Sequence, residues 1–381
     1  MRFYQHLPVK TYLGFDLFSD QSLFELAYKK ALIITNHKDK HVDSLKARLH
    51  DRQIETHVYD TFKKPLTKTG ILKAASHAKA LSCDFIIAYG NATTLDLAKG
   101  CARFAYEDEK LFDGWAQSGL TPPFKDQPLP LMMIPTSLNL ASSINPKVFY
   151  HDEKNERFRR LKDDSLYPTM TLIDASLIKT KDLQESLYTL LDALMRSFEM
   201  TLKPEHFIEK EKGLYTFKTI VKEIKAFKQN PSDKHVRLRL LYALLKIHTL
   251  YQPKTKLPLH QLCDAIEGMH VNLPHRLFLA RAIPFYIETL STKLPNEALN
   301  RLNVLFEDSP YASKNIYASF KDFYDDLNLA WIDFEDYGVE LALISDYIVH
   351  LKGIFYAFDA LSDDALYDII EQTLLARRDE T

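Results

Sequence analysis

Residues 84–99, from Asp84 to Lys99, read DFIIAYGNATTLDLAK. The unbroken apolar run at its start is the mark of a strand buried on both faces, and Gly90 and Asn91 then turn the chain into a helical stretch. The first backbone N–H groups of such a helix have no partner inside it, so they offer a cradle for an anion such as a diphosphate. Any strand, loop and helix in an α/β domain offers the same arrangement. On spacing alone a diphosphate cradle and a purely structural turn stand as equal readings.

Working outward, three more short apolar runs read as strands: Ala31 to Thr35, Glu55 to Tyr59 and Leu131 to Ile134. Between them, Val42 to Asp51 and Thr69 to Leu81 space their apolar residues at helical intervals. Strands alternating with amphipathic helices predict a parallel sheet of nucleotide-binding type. After about Thr180 the strand pattern ends, and helices are expected over Leu183–Leu202, Leu214–Phe227, Val236–Tyr251, Arg276–Leu290, Tyr337–Phe358 and Asp363–Arg377. In the third of these, Leu240, Leu241, Leu244, Leu245 and His248 fall on one face that should be buried. The chain has only ten glycines, mostly in the first half or near junctions, which suits a helical second half. The expected division is an α/β domain over residues 1–178 and an all-helical domain over 179–381, hinged near Asp174 to Lys181.

A chain of 381 residues is long enough for two cores. Its 49 basic and 51 acidic residues are interspersed, with a formal net charge of −2, so nothing points to nucleic acid or an anionic membrane. A small-molecule ligand is the expectation. Cys83, Cys101 and Cys263 are scattered singly and read as reduced, buried thiols. The first residues, MRFYQHLPVK, lack the apolar core of a secretory signal, and no run approaches the roughly 20 apolar residues that span a bilayer. A cytoplasmic location follows as an expectation.

The segment around Gly90 resembles a motif of the iron-containing alcohol dehydrogenase family, three glycines and a serine before Asp-x-Ala-Lys. Gly90, Asp96, Ala98 and Lys99 match, Asn91 and Ala92 replace glycines, and Thr93 replaces the serine. Asn91 is a residue that tolerates a left-handed torsion, and Ala92 is the smallest intrusion toward a phosphate. A second stretch, PTSLNLASSINP from Pro135 to Pro146, is similar to the family's loop at the nicotinamide end of the cofactor. Pro135, Thr136, Ser142 and Pro146 keep their places and Ser137 keeps a hydroxyl; Asn139 and Ala141 replace glycines and Ser143 replaces an acid. Asn36, closing ALIITN, stands where the family has an aspartate that binds a ribose hydroxyl, and a neutral residue there admits NADP as well as NAD. Arg157, in DEKNERF, takes the place of a lysine near the cofactor, and LYPTMTLID from Leu166 to Asp174 resembles the close of the first domain. The resemblance thus implies a Rossmann-like parallel-sheet domain followed by an all-α domain, the dehydroquinate synthase-like fold, with NAD or NADP as cofactor. By analogy it also implies a homodimer.

For its divalent ion the family uses an aspartate, a histidine four residues later on the same helix, and two histidines from later helices. The matching segment here is TLLDALMRSFE, Thr189 to Glu199, with Asp192 in the first place and Arg196 in the second. Arginine has no lone pair for a metal and repels a dication, whereas one turn from Asp192 it is placed to bond that carboxylate. The third place falls on Gln261, with His260 adjacent; the fourth is His275, followed by Arg276 where the family has glycine. A further family histidine, near the substrate, corresponds to Ala265, with His270 close by. Asp192 and His275 are therefore vestigial metal ligands, and a divalent metal is expected to be absent. Arg196 is the candidate to polarise a carbonyl oxygen and His275 to donate a proton. The bland alternative is an Asp192–Arg196 ion pair and a His275 that only bonds its neighbours.

Three functions follow from the resemblance. The first is an NAD(P)-dependent oxidoreductase acting on a small alcohol or carbonyl compound without the usual metal. The second is a non-catalytic member binding a nucleotide or a protein partner, and the third is a dehydroquinate synthase-like cyclase, echoed in Ser142 and Ser143.

Overall fold

A computed structural model describes residues 7–36, 38, 40–155, 157–179, 182–202, 207–249, 257–269, 273–313, 315–340 and 361–376. The chain divides into two compact units, Met1–Lys181 with Ser232–Tyr251, and Asp182–Pro231 with Gln252–Thr381.

The first unit is built on eight strands and six helices among the described residues: β1 (Lys10–Gly14), β2 (Lys30–Ile34), α1 (Lys40–Asp51), β3 (Glu55–Tyr59), α2 (Lys68–Ala80), β4 (Phe85–Gly90), α3 (Ala92–Phe104), α4 (Lys110–Ser118), β5 (Leu131–Pro135), α5 (Ala141–Ile144), β6 (Lys147–Asp152), β7 (Arg157–Lys162) and β8 (Met170–Asp174), with one later helix described below. Six strands form a parallel sheet in the order β1-β8-β5-β4-β2-β3, and β6 and β7 pair as a separate antiparallel hairpin. Side chains alternate across the sheet. Leu32, Ile34, Ile86, Ala88, Leu131 and Met133 enter one core with α2 and α3, while Ala31, Ile33, Phe85, Ile87, Tyr89, Met132 and Ile134 enter the other with α1. Both faces being covered, the central strands carry the continuous apolar runs that made them readable.

The helical unit contains α6 (Leu183–Leu202) and α7 (Phe207–Gln229); α8 (Lys234–His248) follows in sequence. Although the sequence pattern sets α8 among the later helices, it belongs to the α/β unit, where Arg237 on it donates to the Ala175 carbonyl. Leu240, Leu241 and Leu244 are buried, but Leu245 and His248 are only half-buried; Ala243 and Ile247 complete the inner face. The helical unit continues with α9 (Pro258–Met269), α10 (His275–Lys293), α11 (Asn296–Leu302), α12 (Ile316–Leu327) and α13 (Asp363–Leu375). The helix expected over Tyr337–Phe358 lies mostly outside the described residues; Glu335–Tyr337 is a single 3-10 turn.

Two features fix α6, the helix that carries Asp192. Its backbone meets α7 closely at Gly213, where a Cβ would stand 2.9 Å from the Ser197 carbonyl oxygen. Phe198 packs edge-on against Phe320 at 5.1 Å, in a cluster with Phe217 and Phe306. Each such aromatic pair adds about 0.5 to 1.5 kcal/mol beyond its buried area.

Candidate active site

In the α/β unit the cofactor candidates gather at the carboxyl ends of three adjacent strands. Asn36 follows β2, Gly90 ends β4, and Thr136 and Ser137 follow β5; Gly90 and Pro135 are register partners, and the Thr136 N–H donates to the Gly90 carbonyl at 2.9 Å. The carboxyl edge of a parallel sheet is where α/β folds bind ligands. A Cβ at Gly90 would meet the Thr94 side chain within 2.8 Å, so that glycine allows α3 to leave the strand tightly.

Asn91 departs from expectation. Its φ is −82°, extended rather than left-handed, because it is the N-cap of α3: its Oδ1 accepts from the Thr94 N–H and the Thr94 hydroxyl, both at 3.3 Å. Ala92 and Thr93 open the helix with N–H groups that have no intrahelical acceptor and remain open to an anion. Asn36 is exposed; the Arg157 side chain lies outside the described residues. Nearly two turns further, Lys99 is buried and lies 2.9 Å from Asp96 Oδ1. Its Nζ also donates to Asn145 Oδ1 at 3.1 Å and to the Lys147 carbonyl, which ties the end of the Pro135–Pro146 segment to α3. Asp96 Oδ2 in turn accepts from the Phe149 N–H at 3.2 Å.

In the helical unit, Asp192, Arg196 and Glu199 stand at positions i, i+4 and i+7 of α6, and His260, Asp264 and Glu267 repeat that spacing on α9. Each triplet therefore lies along one face of its helix. His275 opens α10. Asp192 Oδ1 is the meeting point: it lies 2.9 Å from His275 Nε2 and 3.1 Å from His260 Nε2. The outer nitrogens also face carboxylates, His260 Nδ1 at 2.7 Å from Glu199 Oε2 and His275 Nδ1 at 3.2 Å from Asp264 Oδ1. Glu199 is fully engaged, since Oε1 accepts from the Leu259 N–H at 2.6 Å and the Tyr286 hydroxyl at 3.0 Å. Of the adjacent pair Gln261 and His260, it is His260 whose ring reaches Asp192.

Burial alone would raise the Asp192 carboxyl and lower both imidazoles, but their mutual bonds outweigh it. Asp192 is held well below the usual carboxylate range by His260, His275 and the Arg196 charge. His260 is raised by Asp192 and Glu199 against both burial and Arg196. His275 is carried up to about 10 by Asp192 and Asp264, so at neutral pH it holds protons on both nitrogens.

Arg196 does not bond Asp192 as its spacing suggested. Its nearest approach to Oδ1, the oxygen that meets both imidazoles, is 3.9 Å, beyond hydrogen-bond reach. Tested against a divalent ion, this set is a poor match. Asp192, His260 and His275 are the possible donors, and the fourth place holds a permanent cation whose repulsion of a dication at about 4 Å amounts to several kcal/mol. A separate trio, Asp264, Glu267 and His275, brings one ligand atom from each within 4.8 Å of the others, but the Asp264 side chain is 70 % exposed. The sequence reading missed Asp264, Glu267 and Tyr286 and gave Glu199 no role. The repeated i, i+4, i+7 spacing on α9 was the available signal. His270 and the Ala265 side chain lie outside the described residues.

Residues 15–175 match the family model for the iron-containing alcohol dehydrogenases. An NADPH-dependent butanol dehydrogenase of Clostridium saccharobutylicum is 24 % identical over 287 residues, 74 % of this chain and 72 % of the relative. Among solved structures, a 1,3-propanediol oxidoreductase superimposes with a TM-score of 0.80 at 18 % identity, covering 98 % of this chain and 100 % of the other. A sulfoacetaldehyde reductase from Bifidobacterium kashiwanohense in complex with NAD+ gives 0.79 at 16 % identity, covering 99 % and 100 %. At such identities the structural likeness shows the fold. Among the described residues no helix is long and apolar enough to cross a membrane.

Proposed function

We propose that this chain, whose residues 15–175 match the model of the iron-containing alcohol dehydrogenases, is a member of that family and an NAD(P)-dependent oxidoreductase of a small alcohol or carbonyl compound that works without a divalent ion at Asp192. The observation that carries this reading is the closed Asp192–His260–His275 network with a guanidinium in the remaining ligand place. Gly90, Asn91, Ala92, Thr93, Thr136 and Ser137 would hold the nucleotide, the open N–H groups of Ala92 and Thr93 taking phosphate oxygens. Exposed and neutral Asn36 neither binds a ribose hydroxyl as an acid would nor repels a 2′-phosphate, so both NAD and NADP are accepted. When bound, the reduced nicotinamide supplies the hydride.

The side chains supply polarisation and a proton. Arg196 presents N–H donors to a carbonyl oxygen and stabilises the negative charge that develops there, the part an ion plays elsewhere. His275, protonated at neutral pH and held by Asp192 through Nε2, releases its Nδ1 proton, the more loosely held at 3.2 Å from Asp264, to the resulting alkoxide, a far stronger base than imidazole. Replacing Arg196 by Ala should lower kcat/KM for carbonyl reduction by roughly a hundredfold to a thousandfold, the usual effect of losing one such donor. Unchanged reduction of ketones and aldehydes by that variant would eliminate the proposal.

A second reading, a family member that binds a nucleotide or partner without turnover, is favoured by Asn91, whose Oδ1 occupies the Thr94 N–H where a glycine would leave it open. Titration with NADH and NADPH followed by a carbonyl panel separates the two: binding with no oxidation of either nucleotide selects the second.

A further inference from the structure

The Arg196 guanidinium makes no hydrogen bond to any described residue. Among the described residues its acid neighbour within 4 Å, Asp192 Oδ1, is 3.9 Å away and already meets two imidazoles, and its Nε is inaccessible to solvent and lacks an acceptor. The side chain is nevertheless only 17 % exposed. Buried donors without acceptors are costly, on the order of 1 to 3 kcal/mol each and more for charged groups, so such a group calls for an explanation. Arg276, the next cation on α10, shows the contrast: it pairs with Glu185 at 2.7 Å and donates to the Thr189 hydroxyl.

The geometry points to a carboxylate-bearing substrate, a short 2-oxo acid, whose carboxylate is held by two parallel N–H donors of Arg196 while a further N–H of the same guanidinium stays on the adjacent carbonyl oxygen. This rests on the carbonyl-reductase reading above and narrows it. A neutral carbonyl gives the guanidinium a single acceptor and no charge. A carboxylate presents two coplanar oxygens that match the fork, and the resulting bonds are about twice as strong as neutral ones. Because Asp192 Oδ1 carries both imidazoles and stands 3.9 Å from Arg196, the incoming anion does not have to break a hydrogen bond between Arg196 and Asp192. Reduction of such a substrate adds a hydride from NAD(P)H to the carbonyl carbon and a proton from His275 to its oxygen. The products are a hydroxy acid and the oxidised nucleotide.

The test compares pyruvate and glyoxylate with their neutral counterparts hydroxyacetone and glycolaldehyde, and titrates oxamate, a non-reacting oxo-acid mimic, by calorimetry. The expected result is a kcat/KM preference for the acids of about a hundredfold or more, oxamate binding to the wild-type protein, and loss of both in Arg196→Gln. Arg196→Lys, which keeps the charge but not the fork, should retain only part of the preference, and matched melting temperatures confirm that both variants fold. Should the neutral compounds be reduced as well as the acids with no oxamate binding, the carboxylate site falls while the oxidoreductase reading stands. Oxamate bound by the wild type and lost in Arg196→Gln, with no carbonyl reduced, keeps the site and sinks the chemistry. Equal oxamate affinity in wild type and Arg196→Gln overturns the site outright.

Discussion

Lys99 and Glu199 show how single buried charges organise this protein, one in each unit. Lys99 joins Asp96, Asn145 and the Lys147 carbonyl inside the α/β core, and Asp96 in turn holds the Phe149 N–H. Removing one partner of a buried pair leaves the other uncompensated, at a cost of about 3 to 5 kcal/mol. Lys99→Met should therefore lower the denaturant midpoint strongly; a midpoint within error of the wild type would show that Asp96 finds no penalty in isolation. Glu199 orients His260 through Nδ1 and holds the Leu259 N–H and the Tyr286 hydroxyl. Tyr286→Phe, which removes one of these bonds and keeps the ring, should cost only about 1 kcal/mol by thermal melting. Asp192, His275 and Arg196 were legible from residue type and family spacing. Their partners were not, because Asp264 and Glu267 gain meaning only when α9 is folded beside α10, and an acid on a helix face otherwise reads as solvated surface.

The start of α3 and the contact between α6 and α7 carry the element-level consequences. Asn91 as N-cap strengthens the helix but occupies an N–H that a glycine would leave to phosphate. Exchanging Asn91 for Gly should cost a few tenths of a kcal/mol in stability, since glycine is a tolerable cap. It should tighten NADH or NADPH binding several-fold in a fluorescence titration, and weaker binding would show that Asn91 helps the cofactor. Gly213→Ala should destabilise the helical unit by about 1 to 3 kcal/mol, because the new methyl lands on the Ser197 carbonyl and α6 cannot retreat from the Phe198 cluster. Three interior strands, β2, β4 and β5, were readable because burial on both faces makes them almost wholly apolar, whereas β3, ETHVY, was read although it is an edge strand without a fully buried residue. β1 was not, since KTYLG is an edge strand mostly exposed, and neither was the β6–β7 hairpin, whose charged residues give no apolar alternation. β8, MTLID, was noted for its family likeness and not for its strand pattern.

At the scale of the molecule, fold class was written in the change from strand runs to helical spacing near residue 180, and the division between compact units falls at Lys181 and Asp182. The one helix that sequence order misassigned, α8, returns to the α/β unit through contacts that no local period records, Arg237 to the Ala175 carbonyl among them. We propose that protonated side chains and a guanidinium have taken over from an inorganic cation around Asp192. This is tested most directly by assaying NAD(P)H-dependent carbonyl reduction before and after exhaustive chelation, with iron and zinc quantified in the same preparation. The expected result is activity unchanged by chelation and metal far below one ion per chain. Activity that vanishes with the chelator and returns on adding iron(II) or zinc would contradict it.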